Sequence, residues 1–177
     1  LLFWYKISFA DEIRTLPVDT FENLQELRFL SMHNNFLMDI TALAKAKSLK
    51  KLFLSKNQIH DATPLHSLEK LETLDLGDNH VKDIMPLLRL PALKKLHIPN
   101  NQITELQPIG QVNQLEELNL RQNKIKHLPL DFLLSLSIPA YCEVYLGGNP
   151  IQNISSKDLS VHKDASSLIR ILEKQIT

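Results

Sequence analysis

A single cysteine, Cys142, is all that the 177-residue sequence offers. That excludes an internal disulfide framework and any zinc site built on paired cysteines. Glycine is nearly as scarce: Gly77, Gly110, Gly147 and Gly148 make neither a GxGxxG fingerprint nor a phosphate-cradling loop. Neither sign of charge dominates, since 20 Lys and Arg balance 20 Asp and Glu. Nucleic-acid binding and adhesion to anionic membranes want a basic surplus, so neither is expected. No apolar run reaches the roughly 18 residues of a membrane span. What remains, 44% hydrophobic and 23% charged residues, is ordinary for one globular domain with a sizeable core. The chain opens on Leu1, and the five apolar residues before Lys6 are too few for a complete signal-peptide core. A truncated signal and a preceding domain both stay open.

Self-similarity is the dominant positive signal. The segments LRFLSMHNNFL from Leu27, LKKLFLSKNQI from Leu49, LETLDLGDNHV from Leu71, LKKLHIPNNQI from Leu93 and LEELNLRQNKI from Leu115 start 22 residues apart, four times running. A weaker copy, YCEVYLGGNPI, starts at Tyr141, 26 residues after Leu115. Each reads L-x-x-L-x-L-x-x-N-x-I, with Met, Ile, Val, Phe or Tyr replacing some apolar residues. Helix-pair solenoids are excluded, because their periods are about 33 residues or longer. Apolar residues at positions 4 and 6 of each unit follow the strand period. A short parallel strand is therefore expected from position 3 to about position 7. Apolar positions 11, 14, 17 and 20, such as Ile59, Ala62, Leu65 and Leu68, bring the chain back along the opposite side. Neighbouring turns bury these together, so no unit is stable alone.

Held in a fixed register, this pattern resembles the leucine-rich repeat family over roughly Leu24 to Ile151. The period, with Pro64-Leu65, Asp83-Ile84 and Pro86-Leu87 in its second half, is similar to the repeats of protein-phosphatase-1 regulators and bacterial internalins. Ile125 to Pro129 and Ile13 to Pro17 resemble repeats with a Leu-Pro turn. An irregular first repeat is thus expected before Leu27, its strand poorly marked because Lys6 and Ser8 fall where apolar residues should sit. The resemblance implies an α/β solenoid: a right-handed horseshoe with a parallel concave sheet, short turns or 3-10 segments on the convex side, and a C-terminal capping helix. Residues 1–26 would form the irregular first repeat or N-terminal cap, 27–153 the repeats, and 154–177 the C-terminal cap. It also implies that the position-9 asparagines, Asn35, Asn57, Asn79, Asn101, Asn123 and Asn149, point inward and bond the backbone of adjacent turns. An amide alone carries both donors and acceptors in that shape.

Both ends of such a stack need covers. Apolar residues at 168, 169, 171, 172 and 176 have helical spacing, with Asp164 placed to cap the helix. Phe3, Trp4, Tyr5 and Phe9 hold four of the eleven aromatics; they read as a cap or docking cluster, or as the edge of an interface with an upstream domain. The column Asp39, Asp61, Asp83 and Glu105 at position 13 invites a calcium reading. Capping of the short helical segments that follow is the simpler account, and no metal is expected.

Function would sit on the strand positions left to solvent. At position 5 they run Ser31, Phe53, Asp75, His97, Asn119, Tyr145, and at position 3 Phe29, Lys51, Thr73, Lys95, Glu117, Glu143. Position 2, ending on Cys142, and position 7, which includes Gly77 and Arg121, lie at the edges. Phe29, Phe53 and Tyr145 stand where no core demand explains an aromatic, and aromatics are enriched at interfaces. Lysines alternate with glutamates between adjacent units, which fits a cross-strand ladder. No HExxH or Gly-x-Ser-x-Gly is present, and the histidines, apart from the unplaced His162, fall at different phases. His97 beside Asp75 is the one suggestive pair and lacks a nucleophile. The expectation is a non-enzymatic, cofactor-free, monomeric module that binds another protein through Phe29, Lys51, Phe53, Asp75, Lys95, His97, Asn119, Arg121 and Tyr145. Alternatives are the recognition segment of a larger enzyme, a bacterial effector whose catalytic part lies elsewhere, and carbohydrate recognition, which would want more Trp and Tyr. A cytoplasmic location is expected from the lone cysteine, with a secreted effector or surface protein as the alternative.

Overall fold

The computed structural model describes residues 6–8, 12–108, 114–136, 142–161 and 163–176. The aromatic cluster of Phe3, Trp4, Tyr5 and Phe9 lies outside them, as do Tyr141 and His162.

Seven strands form one parallel sheet in chain order: β1 (Lys6–Ser8), β2 (Phe29–Ser31), β3 (Lys51–Phe53), β4 (Thr73–Asp75), β5 (Lys95–His97), β6 (Glu117–Asn119) and β7 (Glu143–Tyr145). From β2 onward each strand spans positions 3 to 5 of its unit, shorter than the alternation predicts. The reason lies at position 8. Asn34, Lys56, Asp78, Asn100 and Gln122 all take φ between 53 and 58°, and Gly148 takes 78°. This left-handed turn ends extended backbone while inter-turn bonding continues. The position-8 amides of Lys56 and Asp78 still donate to Gly77 O at 2.8 Å and Pro99 O at 2.9 Å.

The register of β1 corrects the expected phase of the first repeat. Lys6 pairs with Phe29, Ile7 with Leu30 and Ser8 with Ser31. Ile7 therefore holds the apolar position, and Lys6 and Ser8 hold positions 3 and 5. The sixth unit is longer because a helix, α2 (Leu130–Leu136), follows Pro129 and buries Phe132, Leu133 and Leu136.

Leucines at positions 1, 4 and 6 stack into one continuous core. Leu52, Leu74, Leu96 and Leu118 are wholly buried, as are Leu54, Leu76, Ile98 and Leu120. Each such side chain contributes about 1.5–3 kcal/mol relative to exposure. The asparagines close the polar side of that core. The Asn79 carboxamide accepts from Ile59 N at 2.9 Å and donates to Leu54 O and Leu76 O, both at 3.0 Å. Leu54 O also accepts from Asn57, and Leu76 O from Asn101. Each position-6 carbonyl from Met32 to Leu120 is thus shared by two asparagines, and the column zips consecutive turns. Asn153, a step beyond the expected set, does the same work by bonding both Leu128 N and Leu128 O.

On the convex side, 3-10 turns cover Thr41–Lys45 and Thr63–Ser67, and a short helix, α1, covers Met85–Leu88. Asp39, Asp61 and Asp83 each accept, at 2.8 Å, from the backbone amide two residues on. Their carboxylates are occupied with turn formation. Pro64 and Pro86 stand at helix starts, where a missing N–H costs nothing.

The C-terminal end is closed by two helices, α3 (Ser156–Val161) and α4 (Ala165–Ile176). Asp164 caps α4 by accepting from Ser167 N at 2.8 Å. Leu168, Ile169 and Leu172 are buried, and α4 packs against α2. The residues just before α4 also cover the edge of β7: Glu143 bridges Asp164 in antiparallel sense, and Ala165 N donates to Cys142 O. The side chain of Ile176, expected on this apolar face, lies outside the described residues.

Candidate binding face

Alternation along each strand sends position 4 into the core and positions 3 and 5 to the concave face. Three of the residues expected outward are buried instead. Cys142 is covered by the segment ahead of α4, and burial pushes its thiol up to about 12. That leaves it without the thiolate a nucleophile needs. Gly77 lies beneath the Pro99 ring. Ser31 is buried and bonds His33 Nδ1 at 2.9 Å.

The nine candidate residues fall into two groups. At the β2–β3 end, the rings of Phe29 and Phe53 meet with centroids 5.3 Å apart and planes tilted by 38°. Both are half-buried. Lys51 stands between Phe29 and Thr73 in register, neither of which carries a carboxylate. The adjacent Lys50 is committed to Glu72 at 2.6 Å. That bond holds the Glu72 carboxyl below its usual range, against the opposing effect of burial.

At the β5–β7 end the polar groups are occupied by one another. Glu117 takes Lys95 Nζ on one oxygen and His97 Nε2 on the other, each at 3.0 Å. The His97 contact has ion-pair distance without hydrogen-bond alignment. Burial works to raise the Glu117 carboxyl, but the Lys95 bond and the nearby His97 outweigh it and hold it low. The same bond raises Lys95. Arg121 lies over the Tyr145 ring at 4.5 Å, Lys163 approaches the ring at 5.9 Å, and the Tyr145 hydroxyl donates to Glu143. That hydrogen bond, foremost, raises the phenol. Asp75, between the two ends, and Asn119, on β6, each accept from the backbone two residues on, at Gly77 N and Arg121 N. The expected His97–Asp75 pair is therefore not made: the strands put them in register, but Glu117 captures the imidazole.

Glu117 and Glu143 were not among the expected site residues, yet they organise this end. The sequence held the signal for both: Glu117 is the register neighbour of Lys95, and Glu143 is two residues from Tyr145 on the same strand face. Among the described residues no group of three or more His, Cys, Asp or Glu is arranged for a metal ion.

Comparison with known proteins bears on this arrangement. The profile described as "Leucine Rich repeats (2 copies)" matches residues 47–89 and 91–133. An internalin C2 structure from Listeria monocytogenes superimposes with a TM-score of 0.68 and 32% identity, over 81% of this chain. The chain belongs to the leucine-rich repeat family. A second internalin of the same organism, InlF, matches with a TM-score of 0.63 and 30% identity, over 77% of this chain. The plant peptide hormone receptor RGFR1, solved in complex with RGF2, shares the fold with a TM-score of 0.61 and 23% identity, over 78% of this chain. The chain spans 62%, 38% and 23% of the length of these three structures. No curated protein matches its sequence. Leucine-rich repeat folds commonly mediate protein–protein interaction, and such domains are typically non-catalytic. Among the described residues no helix is long and apolar enough to cross a membrane.

Proposed function

We propose that the chain is a non-catalytic, monomeric recognition module that binds another protein across its concave face. The observation that carries this reading is the aromatic pair Phe29–Phe53, half-exposed at strand positions the core does not use. The nine residues from Phe29 to Tyr145 form the contact surface in this reading. Phe53 is the anchor, and the Arg121–Tyr145 stack is a pre-ordered rim that meets a partner with little further loss of side-chain freedom. No cofactor takes part. The alternatives of a segment within a larger enzyme or effector use the same face and place any chemistry outside these residues. The lone cysteine fits the cytoplasmic location and the internalin neighbours fit the exported alternative, and a buried, protonated thiol suits either compartment.

Affinity capture with wild type, Phe53→Ala and Lys45→Ala tests the reading. Lys45 is exposed on the convex 3-10 turn. Loss of a captured partner with Phe53→Ala and its retention with Lys45→Ala is the expected pattern. The reverse pattern would place recognition on the convex side.

A further inference from the structure

We infer that the β2–β3 end of the concave face takes an extended acidic peptide segment of the partner, with a large apolar side chain on the Phe29–Phe53 pair and a carboxylate on Lys51. The inference rests on the concave-face reading above and adds the partner's chemistry to it.

Three observations lead there. First, the two ends of the face differ in what they leave to a ligand. At the β5–β7 end Lys95 is held on Glu117 at 3.0 Å with His97 beside it, and Tyr145 lies between Arg121 and Glu143. A ligand charge arriving there must displace a bond already made. At the β2–β3 end Lys51 has no carboxylate in either register neighbour, and the nearby Glu72 is held by Lys50. An incoming carboxylate gains Lys51 without breaking a pair.

Second, the aromatics lie beside basic residues. Along position 3 Lys51 follows Phe29 in register, and Arg28, paired at 3.7 Å with the exposed Glu26, precedes Phe29 in sequence. Acidic residues beside an apolar anchor are attracted by these residues, and basic ones are repelled.

Third, the spacing suits an extended chain. Lys51 and Phe53 are two residues apart on one strand, so they stand about 7 Å apart on the same face. An extended peptide presents side chains i and i+2 on one face at that same separation. The preferred ligand therefore carries Asp or Glu two positions from Phe, Tyr, Trp or Leu.

The test is selection of a random twelve-residue peptide library on the immobilised chain, run in parallel on wild type, Phe53→Ala and Lys51→Glu. Selected peptides are then measured by fluorescence anisotropy. Wild type is expected to enrich a large apolar residue with Asp or Glu two positions away. Lys51→Glu is expected to exchange the acid for Lys or Arg and to bind the wild-type peptides about five- to tenfold more weakly, since one exposed pair is lost and one repulsion added. Phe53→Ala is expected to lose roughly thirtyfold, as for a truncated anchor. Peptides enriched without an acidic bias, or a bias that Lys51→Glu leaves unchanged, overturn the acidic-segment inference while sensitivity to Phe53→Ala keeps the concave reading. Peptides indifferent to both substitutions overturn both. An absence of any enriched peptide overturns the peptide class and leaves the concave reading to the capture experiment.

Discussion

Two columns of the solenoid, four positions apart in every unit, behave in opposite ways. Position 9 is Asn six times, and each described carboxamide bonds the backbone of its own turn and of the turn before. Position 5 is Ser, Phe, Asp, His, Asn and Tyr in succession, and its side chains share no common bonding pattern. The backbone path is the same in both columns. Where packing leaves one solution, the residue repeats; where packing imposes nothing, the residue is free to serve something outside the fold.

The most severe way to break the inner columns is to remove their cover. Deleting residues from Asp164 onward strips α4 from α2 and from the edge of β7, exposing Val144, Leu146 and Phe132. An uncovered apolar end promotes association. Light scattering should show larger species than wild type, with a lowered melting temperature. A monomer with unchanged melting would make the segment a tail.

A smaller cut removes one rung. Asn79→Ala leaves the buried amide of Ile59 without an acceptor. The carbonyls of Leu54 and Leu76 keep Asn57 and Asn101. One stranded donor plus the lost bonds cost about 3 kcal/mol. Glu72→Ala, which breaks a part-exposed pair with Lys50, should cost about 1 kcal/mol or less. Equal urea midpoints for the two variants would reject the zipper.

Position 8 sharpens the comparison from the opposite side, because there the backbone conformation is fixed and the residue is poorly suited to it. Lys56 holds φ 57°, a region that costs most L-residues roughly 1–2 kcal/mol and glycine almost nothing. Lys56→Gly should therefore raise the urea midpoint slightly, the gain in stability being up to about 1 kcal/mol. The same change at Lys51, in extended strand, should lower it.

The smallest effect concerns protons. The Glu117 carboxyl is held below its ordinary 4.5 in the folded chain. A depressed folded value means the pair contributes above the unfolded value and is lost as pH falls through the folded one. Because Glu117 is part-exposed, the contribution is at most about 1 kcal/mol. Wild type should exceed Glu117→Gln slightly at pH 6, and the gap should close as pH falls below the ordinary carboxylate range. A constant gap across that range would assign the difference to packing.

Much of the fold was legible because a residue repeated at fixed spacing reports a repeated environment. The leucine and asparagine columns, the Asp turns and the Asp164 cap could all be read that way. The strand ends were harder, since the left-handed turn at position 8 is held by Asn, Asp or Gly in four units but by Lys56 and Gln122 in the other two, which dilutes the mark. The first repeat was misphased by one residue because only Ile7 of β1 carries an apolar signal. Helix α2 hid within an apolar stretch where no second copy existed for comparison. The candidate face was legible as a set of outward positions. Which of them are already engaged was not, because His97 has Asp75 and Asn119 as register neighbours yet reaches diagonally to Glu117.

The division between columns that hold the fold and columns that meet a partner is tested most directly by measuring both properties on two variants. Urea unfolding and affinity for one selected peptide should be determined for Phe53→Ala and Asn79→Ala beside wild type. Phe53→Ala gives up a tilted ring contact with Phe29, worth about 1 kcal/mol, and breaks no buried hydrogen bond. Its midpoint should move by less than about 0.5 M while affinity falls roughly thirtyfold. Asn79→Ala should drop the midpoint by at least about 1 M and leave affinity under native conditions within about threefold. If Phe53→Ala costs as much stability as Asn79→Ala, or if Asn79→Ala costs as much affinity as Phe53→Ala, the two columns are not separate and the account fails.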